Sequence, residues 1–236
     1  MKTVYNKSAT NKLLIDISFA IIAFLLYSMI PIIIEIGKSN LFLCSMIALI
    51  VSFIFIFICY SFIRHLDQDF RVKNTTLSKA LLVIILTLIS SFILQSIVGK
   101  LRTMVLSDHT DTSNQQAIAG LLEANSLLVY SLVSIVIIAP VFEELIFRRV
   151  LIGNTLAPKA NLIFRIVLSI LLFTFLHTYS EISNGLVPFI FSCLSYLIIS
   201  CSFTFIYVVT GRMTYSVLAH CINNLIAVSL LLAQLN

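Results

Sequence analysis

The sequence is poor in charged residues and in residues that interrupt helices. Of its 236 residues, 11% are charged and only 6 are glycine and 4 proline, whereas 60% are hydrophobic. A typical soluble domain has about 25% charged residues, so this composition excludes an ordinary soluble protein. No Gly-, Pro- or Ser-rich linker, internal repeat or low-complexity tract divides the chain. We therefore predict one integral membrane domain over residues 1–236.

The sequence also lacks cysteines with the spacing of a metal site. Its 5 cysteines lie singly in apolar runs, at Cys44, Cys59, Cys193, Cys201 and Cys221. Buried cysteine commonly serves as a small hydrophobic residue. We infer neither a disulfide framework nor a cysteine metal centre.

Long hydrophobic runs dominate what is present. A helix needs about 20 apolar residues to cross the hydrocarbon core of a bilayer. Such runs cover Leu13 to Ile36, Leu41 to Ile63, Ala80 to Val98, Leu127 to Val150, Leu162 to His177, Leu186 to Thr210 and Met213 to Leu235. They predict an all-α fold, a polytopic transmembrane helix bundle with about seven spans (six to eight). The first run is too long for a signal-peptide core, and we expect it to stay as an anchor.

A cytoplasmic N-terminus places most basic residues on the inner side of such a bundle. The basic residues then facing the cytoplasm are Lys2, Lys7, Lys12, Arg64, Arg71, Lys73, Lys79, Arg148, Arg149, Lys159, Arg165 and Arg212. Lys38, Lys100 and Arg102 lie outside, which is a strong positive-inside bias. Basic residues at the inner face suit anionic lipid headgroups, so the formal charge of +5 requires no nucleic-acid partner.

The longest polar connection runs from Gly99 to Asn125. Thr112 or Ser113 is placed to cap a short helix there. Its apolar face would lie in the membrane interface, or the segment is an ordinary amphipathic connector.

Three short polar clusters interrupt the apolar runs in the second half of the chain. They are Glu143-Glu144-Leu145-Ile146-Phe147-Arg148, Phe173-Thr174-Phe175-Leu176-His177 and His220-Cys221-Ile222-Asn223-Asn224. An ionisable side chain inside a membrane is costly and usually kept for function. The clusters therefore indicate a hydrolytic site.

Helical spacing separates the roles of the two glutamates. Residues four apart share a helix face, so Glu144 can pair with Arg148 and Glu143 points elsewhere. We assign Glu144 to a supporting ion pair and Glu143 to the base that takes a proton from water. The alternative is a solvated charge run at a helix end.

The two histidines and the asparagine also have structural interpretations. His177 is placed like an interfacial histidine, with Phe173 one turn before it to pack against its ring. His220 and Asn224 share a face and could join helices by hydrogen bonds. If the fourth and fifth spans form a hairpin, Glu144 is expected to face His177.

The same residues fit two hydrolytic mechanisms. In one, His177 and His220 help to hold zinc, whose bound water Glu143 deprotonates. In the other no metal takes part, Glu143 and His177 activate water, and His220 with Asn224 forms the oxyanion hole. Two histidines are few for a zinc site, so we favour the metal-free form.

The order Glu143-Glu144-x-x-x-Arg148, Phe173-x-x-x-His177, His220-x-x-x-Asn224 resembles the CPBP family of intramembrane proteases. This family joins CAAX prenyl endopeptidases of the Rce type with bacteriocin-processing and immunity proteins, also called Abi. The resemblance covers roughly Leu127 to Leu235, which would form a CPBP-like catalytic core. It includes Pro140 and the approach Thr210-Gly211-Arg212-Met213.

The resemblance implies a membrane peptidase that acts by glutamate-activated water, although the family is usually labelled metalloprotease. It implies Glu143 as base, His177 and His220 as catalytic or ligating residues, and Asn224 as oxyanion partner. The substrate would be a membrane-associated peptide or protein. The use of Ile, Asn and Lys favours a bacterial cell membrane, with bacteriocin or pheromone processing or immunity as the role.

Two other functions remain open from the sequence. One is a non-enzymatic membrane immunity or scaffold protein that retains the polar cluster as structural glue. The other is a transporter or proton relay, which would also explain intramembrane Glu and His. A transporter predicts matching repeats or broken helices in two halves, and the sequence shows neither.

Overall fold

The computed structural model describes residues 40–68, 75–106, 112–123, 128–153 and 159–235. Within these ranges the chain is almost wholly helical and contains no strand, which confirms the all-α prediction. The expected first span, Leu13 to Ile36, lies outside the described residues.

The helices of the described ranges are numbered in chain order. They are α1 (Leu41–Gln68), α2 (Leu77–Leu106), α3 (Ser113–Glu123), α4 (Leu128–Ile152), α5 (Lys159–Thr178), α6 (Leu186–Thr210) and α7 (Met213–Leu235). A 3₁₀ segment, Tyr179–Asn184, continues α5. By length and apolar composition, α2, α4, α5 with its 3₁₀ segment, α6 and α7 can each cross a membrane. Helix α1 contributes a shorter apolar stretch, Leu41–Ile54.

The predicted end of the third span was too early. Helix α2 continues through Gly99 and ends at Leu106, so the first eight residues of the expected polar connection are helical. A single glycine costs a helix only about 1 kcal/mol, and Lys and Arg are good helix formers. The first polar residues therefore showed where the apolar run ends, but the helix itself continues beyond that point.

One stripe of α2 attaches it to the rest of the bundle. Ala80, Ile84, Leu88 and Ser91 follow helical spacing and are buried, while most of the other faces carry exposed large apolar side chains. Ile84 and Leu88 join a core cluster with residues of α6 and α7, among them Phe203. The exposed apolar faces suit contact with lipid, where no hydrophobic penalty applies.

Helix α4 contains two π-helical segments, Ser134–Ile138 and Leu145–Ile152. In the first, the Ala139 N–H donates to the Ser134 carbonyl, five residues back. The next residue, Pro140, has no N–H, so it cannot donate to the carbonyl of Ile135. Segments of this kind are rare and frequently occur at functional sites.

Helices α4 and α5 form the antiparallel hairpin that the sequence suggested. Ser169 Oγ donates to the Phe147 carbonyl at 2.7 Å, and the Tyr207 hydroxyl of α6 donates to the Gly153 carbonyl at 2.9 Å. The turn begins at Gly153, whose φ of 67° favours glycine. Helix α5 starts at Lys159.

The short helix α3 confirms the cap predicted from the sequence. The Thr112 hydroxyl accepts the N–H of Gln115 at 3.3 Å, and the Gln115 side chain accepts the Thr112 N–H at 3.2 Å. This reciprocal pair is a capping box. Two further bonds fix α3 to the bundle: Ser113 N–H donates to Glu181, and Asn114 Nδ2 donates to the Tyr196 hydroxyl at 2.6 Å.

Candidate active site

The two adjacent glutamates of α4 point into different surroundings. Glu144 is fully buried, whereas 24% of the Glu143 side chain is exposed, and Glu143 lines a cavity. Successive residues of a helix point about 100° apart, which explains the division. The structure therefore separates the glutamates as helical spacing predicted.

Glu143 lies between the two histidines. Its Oε2 atom is 3.6 Å from His177 Nε2 and 3.6 Å from His220 Nε2. Within the described ranges this buried oxygen has no hydrogen-bond partner. Glu143, and not Glu144, is thus the carboxylate that faces His177, which corrects the expected pairing of the hairpin.

His177 is held between two aromatic rings. Phe173 stacks on it with ring centroids 4.4 Å apart, and Tyr196 stacks with centroids 5.0 Å apart. Its Nδ1 atom lies 2.9 Å from the Phe173 carbonyl. A carbonyl only accepts, so Nδ1 carries a proton, and when the ring is neutral its Nε2 lone pair faces Glu143.

His220 is oriented by the buried glutamate. Its Nδ1 atom is 3.1 Å from Glu144 Oε1, and its ring stacks on Phe203 with centroids 4.3 Å apart. Because the Glu144 carboxylate accepts this proton, the Nε2 lone pair of a neutral His220 also faces Glu143. Glu144 therefore supports the site by fixing the tautomer of His220, beyond the ion pair expected from the sequence.

Glu144 is surrounded by donors. Arg148 Nε lies 3.3 Å from its Oε2 atom, with both side chains fully buried, and the Ser216 hydroxyl donates to the same oxygen. Arg148 also donates to the Ser200 carbonyl at 3.1 Å, and its guanidinium lies 4.8 Å from the centre of the Phe173 ring. The i, i+4 pair predicted from the sequence is confirmed. Ser216 was missed, although it precedes His220 by four residues and so shares its helix face.

Asn224 lines the same cavity but makes a different contact. Its Nδ2 atom donates to the Ile135 carbonyl at 2.9 Å. This is the carbonyl that Pro140 leaves without a π-helical donor. An amide nitrogen has two N–H groups, so one is left for another acceptor. Asn223, which the sequence reasoning did not single out, lines the cavity too and donates to Asn224 Oδ1 at 3.2 Å.

The cavity has a volume of about 610 Å³, within the range of small-molecule sites. Glu143, His177 and His220 lie on its wall, together with apolar residues of α2, α6 and α7. Arg102, Thr112 and Gln115 belong to the same wall. The predicted base and both histidines therefore share one chamber with room for a peptide segment.

Glu143, His177 and His220 cannot provide three zinc ligands and also leave a free glutamate to act as base. Catalytic zinc usually has three protein ligands. His177 and His220 supply two, and Glu144 is already bound to Arg148, Ser216 and His220. In the described ranges, no group of three or more His, Cys, Asp or Glu side chains could hold a metal ion. Glu143 as third ligand would leave no carboxylate to serve as base.

Comparison with protein families supports the resemblance drawn from the motifs. Residues 125–226 match the model of a family described as type II CAAX prenyl endopeptidase Rce1-like. Comparisons with curated proteins and with solved structures gave no match. The matched segment is less than half of the chain, but it contains all three polar clusters, the helices α4, α5 and α6, and the first part of α7. In this segment the chain is similar to the type II CAAX prenyl endopeptidase Rce1-like family.

Proposed function

We propose that the protein is an endopeptidase that hydrolyses a membrane-associated peptide by means of a water activated by Glu143. One observation carries this proposal: the buried Oε2 atom of Glu143 has no described hydrogen-bond partner and lies 3.6 Å from the Nε2 atoms of both His177 and His220. A base must keep a lone pair within reach of the proton that it takes. A water molecule at this point can donate one proton to Glu143 and the other to the Nε2 atom of one histidine.

The reaction follows from these positions. Glu143 accepts one proton as the water oxygen attacks the scissile carbonyl carbon, while the Nε2 atom of His177 or His220 accepts a hydrogen bond from the other proton and orients the water. The spare N–H of Asn224 stabilises the negative oxygen of the tetrahedral intermediate. The C–N bond then breaks, and the leaving nitrogen takes the proton from Glu143. The products are a new carboxylate and a new amine, and no metal step is required.

The family description names a prenylated CAAX peptide as the substrate class to test first. The apolar lining of the cavity and its place among membrane-spanning helices suit a lipidated or strongly apolar peptide. A second class is an unmodified bacterial precursor, such as a bacteriocin or pheromone peptide. The composition of the chain favours this second class, which would make processing or immunity its role.

The deciding experiment measures cleavage of quenched fluorescent peptides by purified protein in lipid bicelles. One peptide carries a farnesylated cysteine near its C-terminus, and its pair carries the free cysteine. Glu143→Gln keeps the shape of the side chain but removes the base, so kcat should fall by about 100-fold or more. Glu123→Gln is the matched control, because Glu123 is exposed at the end of α3 and does not line the cavity.

Cleavage of neither peptide, or equal cleavage by the wild-type protein and Glu143→Gln, would contradict the proposal. A protein that does not cleave but still protects cells from a bacteriocin would instead support the non-enzymatic immunity role. Cleavage of the farnesylated peptide alone assigns the CAAX class, and cleavage of both peptides shows that the lipid is not required.

A further inference from the structure

The short helix α3 contributes one side of the cavity wall. Thr112, Gln115 and Ile118 follow one another at three-residue spacing, and all three line the cavity. Asn114, four residues before Ile118, lines it too. Residues three and four apart share a helix face. One face of α3 therefore covers part of the chamber that holds Glu143.

The C-terminal end of α3 is attached to the bundle by apolar packing. The Leu122 side chain is only 3% exposed. Next to it, the Leu121 carbonyl accepts the Ser131 hydroxyl of α4 at 3.2 Å. Burial of a large apolar side chain opposes its return to water. This end is therefore the firm attachment of α3.

The N-terminal end of α3 is attached by polar contacts instead. The buried Glu181 carboxylate accepts the Ser113 N–H, and Asn184 Nδ2 donates to the Ser113 hydroxyl at 2.9 Å. Both partners belong to the 3₁₀ segment that follows α5. Asn114 adds its bond to the Tyr196 hydroxyl of α6. We call these three hydrogen bonds the latch.

The latch can open without leaving polar groups unpaired. The groups that α3 releases can bond to water at the membrane interface, so the net cost of each exchange is small. Glu181 keeps its bond from Asn184 Nδ2, and the positive charge of Arg102 also acts on this carboxylate. The capping box of Thr112 with Gln115 lies within α3 itself. The helix can therefore move as one unit.

We propose that α3 is a lid, which turns about its C-terminal attachment when the latch opens and admits the peptide substrate at its N-terminal end. Closure of such an element sequesters a bound substrate from water and commits it to reaction. The inference rests on the proposed peptidase function for the identity of the ligand. Opening of the chamber can nevertheless be measured without any cleavage.

A disulfide across the latch tests the motion directly. Ser113→Cys and Asn184→Cys are combined in a chain whose 5 native cysteines are replaced by alanine. Ser195→Cys, on the α6 wall of the cavity, reports access through its labelling by N-ethylmaleimide in phosphatidylcholine bicelles. The locked protein should be labelled about tenfold or more slowly than the protein with a native latch, because labelling requires the open form. Ser78→Cys, exposed at the start of α2, should be labelled equally in both.

Weakening the latch should have the opposite effect. Glu181→Gln keeps the size of the side chain but removes the charge that binds the Ser113 N–H, so labelling of Ser195→Cys should become about tenfold faster. Glu123→Gln is the matched control, because Glu123 is exposed at the other end of α3. Asn184→Ala is a second variant that removes a latch bond and leaves the buried carboxylate in place.

Two labelling results would overturn the proposal. One is equal labelling of Ser195→Cys with a locked and a native latch, because the reagent would then reach the chamber by another route. The other is a rise in Glu181→Gln that a second reporter shows equally, which would indicate a general loosening of the fold. This second reporter is Ala48→Cys, buried where α1 packs against α4.

Cleavage assays separate the lid from the peptidase function. The locked protein should not cleave peptides that the protein with a native latch cleaves, and equal cleavage by the two would reject the lid. If the disulfide slows labelling while neither protein cleaves any peptide, the lid is supported and the peptidase function is rejected.

Discussion

His220 is hydrogen-bonded to Glu144 across two helices, with its Nδ1 atom 3.1 Å from the Oε1 atom of the buried carboxylate. This contact directs the other ring nitrogen towards Glu143. A carboxylate that fixes the tautomer of a histidine is a recurring support in hydrolytic sites. The adjacent glutamates are therefore joined through one imidazole, and their substitution should have different consequences.

Glu144→Gln should lower stability more than Glu143→Gln. The amide would leave the buried guanidinium of Arg148 without its charge partner, which typically costs about 3–5 kcal/mol. Thermal unfolding and the amount of membrane-inserted protein measure the effect, with Glu123→Gln as control. A double substitution, Glu144→Leu with Arg148→Met, should recover part of the loss because it removes both charges. A stable Glu144→Gln beside an unstable Glu143→Gln would mean that the two roles are reversed.

Asn224→Ala should lower both stability and turnover, because the two N–H groups of the Asn224 amide have different roles. It removes the donor to the Ile135 carbonyl, at a cost of about 1–3 kcal/mol. It also removes the proposed oxyanion donor, so kcat should fall by about 100- to 1000-fold. Adding Pro140→Ala restores a backbone N–H five residues after Ile135. Stability should then recover while kcat stays low.

The double variant decides what Asn224 does. Recovery of both stability and kcat in Asn224→Ala with Pro140→Ala would show that Asn224 only satisfies the carbonyl. Asn223→Ala is a useful comparison, because Asn223 lines the cavity and contacts Asn224 without contacting Ile135. If Asn223→Ala caused the larger loss of kcat, the oxyanion donor would be Asn223.

Tyr196 should act on turnover by positioning His177. Tyr196→Leu removes one of the two rings that enclose the imidazole, and we expect kcat to fall by about tenfold with little change in KM. Tyr196→Phe keeps the stack and loses only the hydrogen bond from Asn114, so it should rescue most of the activity. A loss of protein stability without this difference in kcat would indicate a role in packing alone.

Metal chelators should leave the enzyme active. The proposed reaction uses Glu143 as base, and two histidines do not complete a zinc site. Activity after incubation with phenanthroline and zinc content by mass spectrometry provide the check, with a known zinc protease treated in parallel. Stoichiometric zinc in the active protein that disappears in His220→Ala would overturn the metal-free mechanism.

The sequence predicted the features that depend on local spacing. Hydrophobic runs located α6 and α7 at their observed bounds, and the i, i+4 rule gave the pair of Glu144 with Arg148. Because successive residues of a helix point about 100° apart, Glu143 was expected to point away from the face that Glu144 shares with Arg148. These predictions succeed because helix geometry relates residues within a few turns without reference to the rest of the fold.

Contacts between distant segments were not predictable in this way. The bond from Ser216 to Glu144 and that from Asn114 to Tyr196 join residues more than 70 positions apart, so they depend on how the helices pack. Asn224 lines the cavity and also donates to the Ile135 carbonyl. That carbonyl is available because of a π-helical turn, which hydrophobic periodicity does not reveal. Roles in catalysis stay predictions until the variants are measured.

The π-helical segment Ser134–Ile138 also bears on how the proposed activity could be lost in evolution. Such a segment accommodates one residue more than the α-helix that it interrupts. Deleting a single codon there would restore an α-helix of almost the same length and hydrophobicity, still able to insert. If α5 and α7 kept their places, the rest of α4 would turn by about 100° relative to its first part and would carry both glutamates away from the histidines. One in-frame deletion in this segment would therefore separate the glutamates from the histidines while the hydrophobicity that membrane insertion needs stayed almost unchanged.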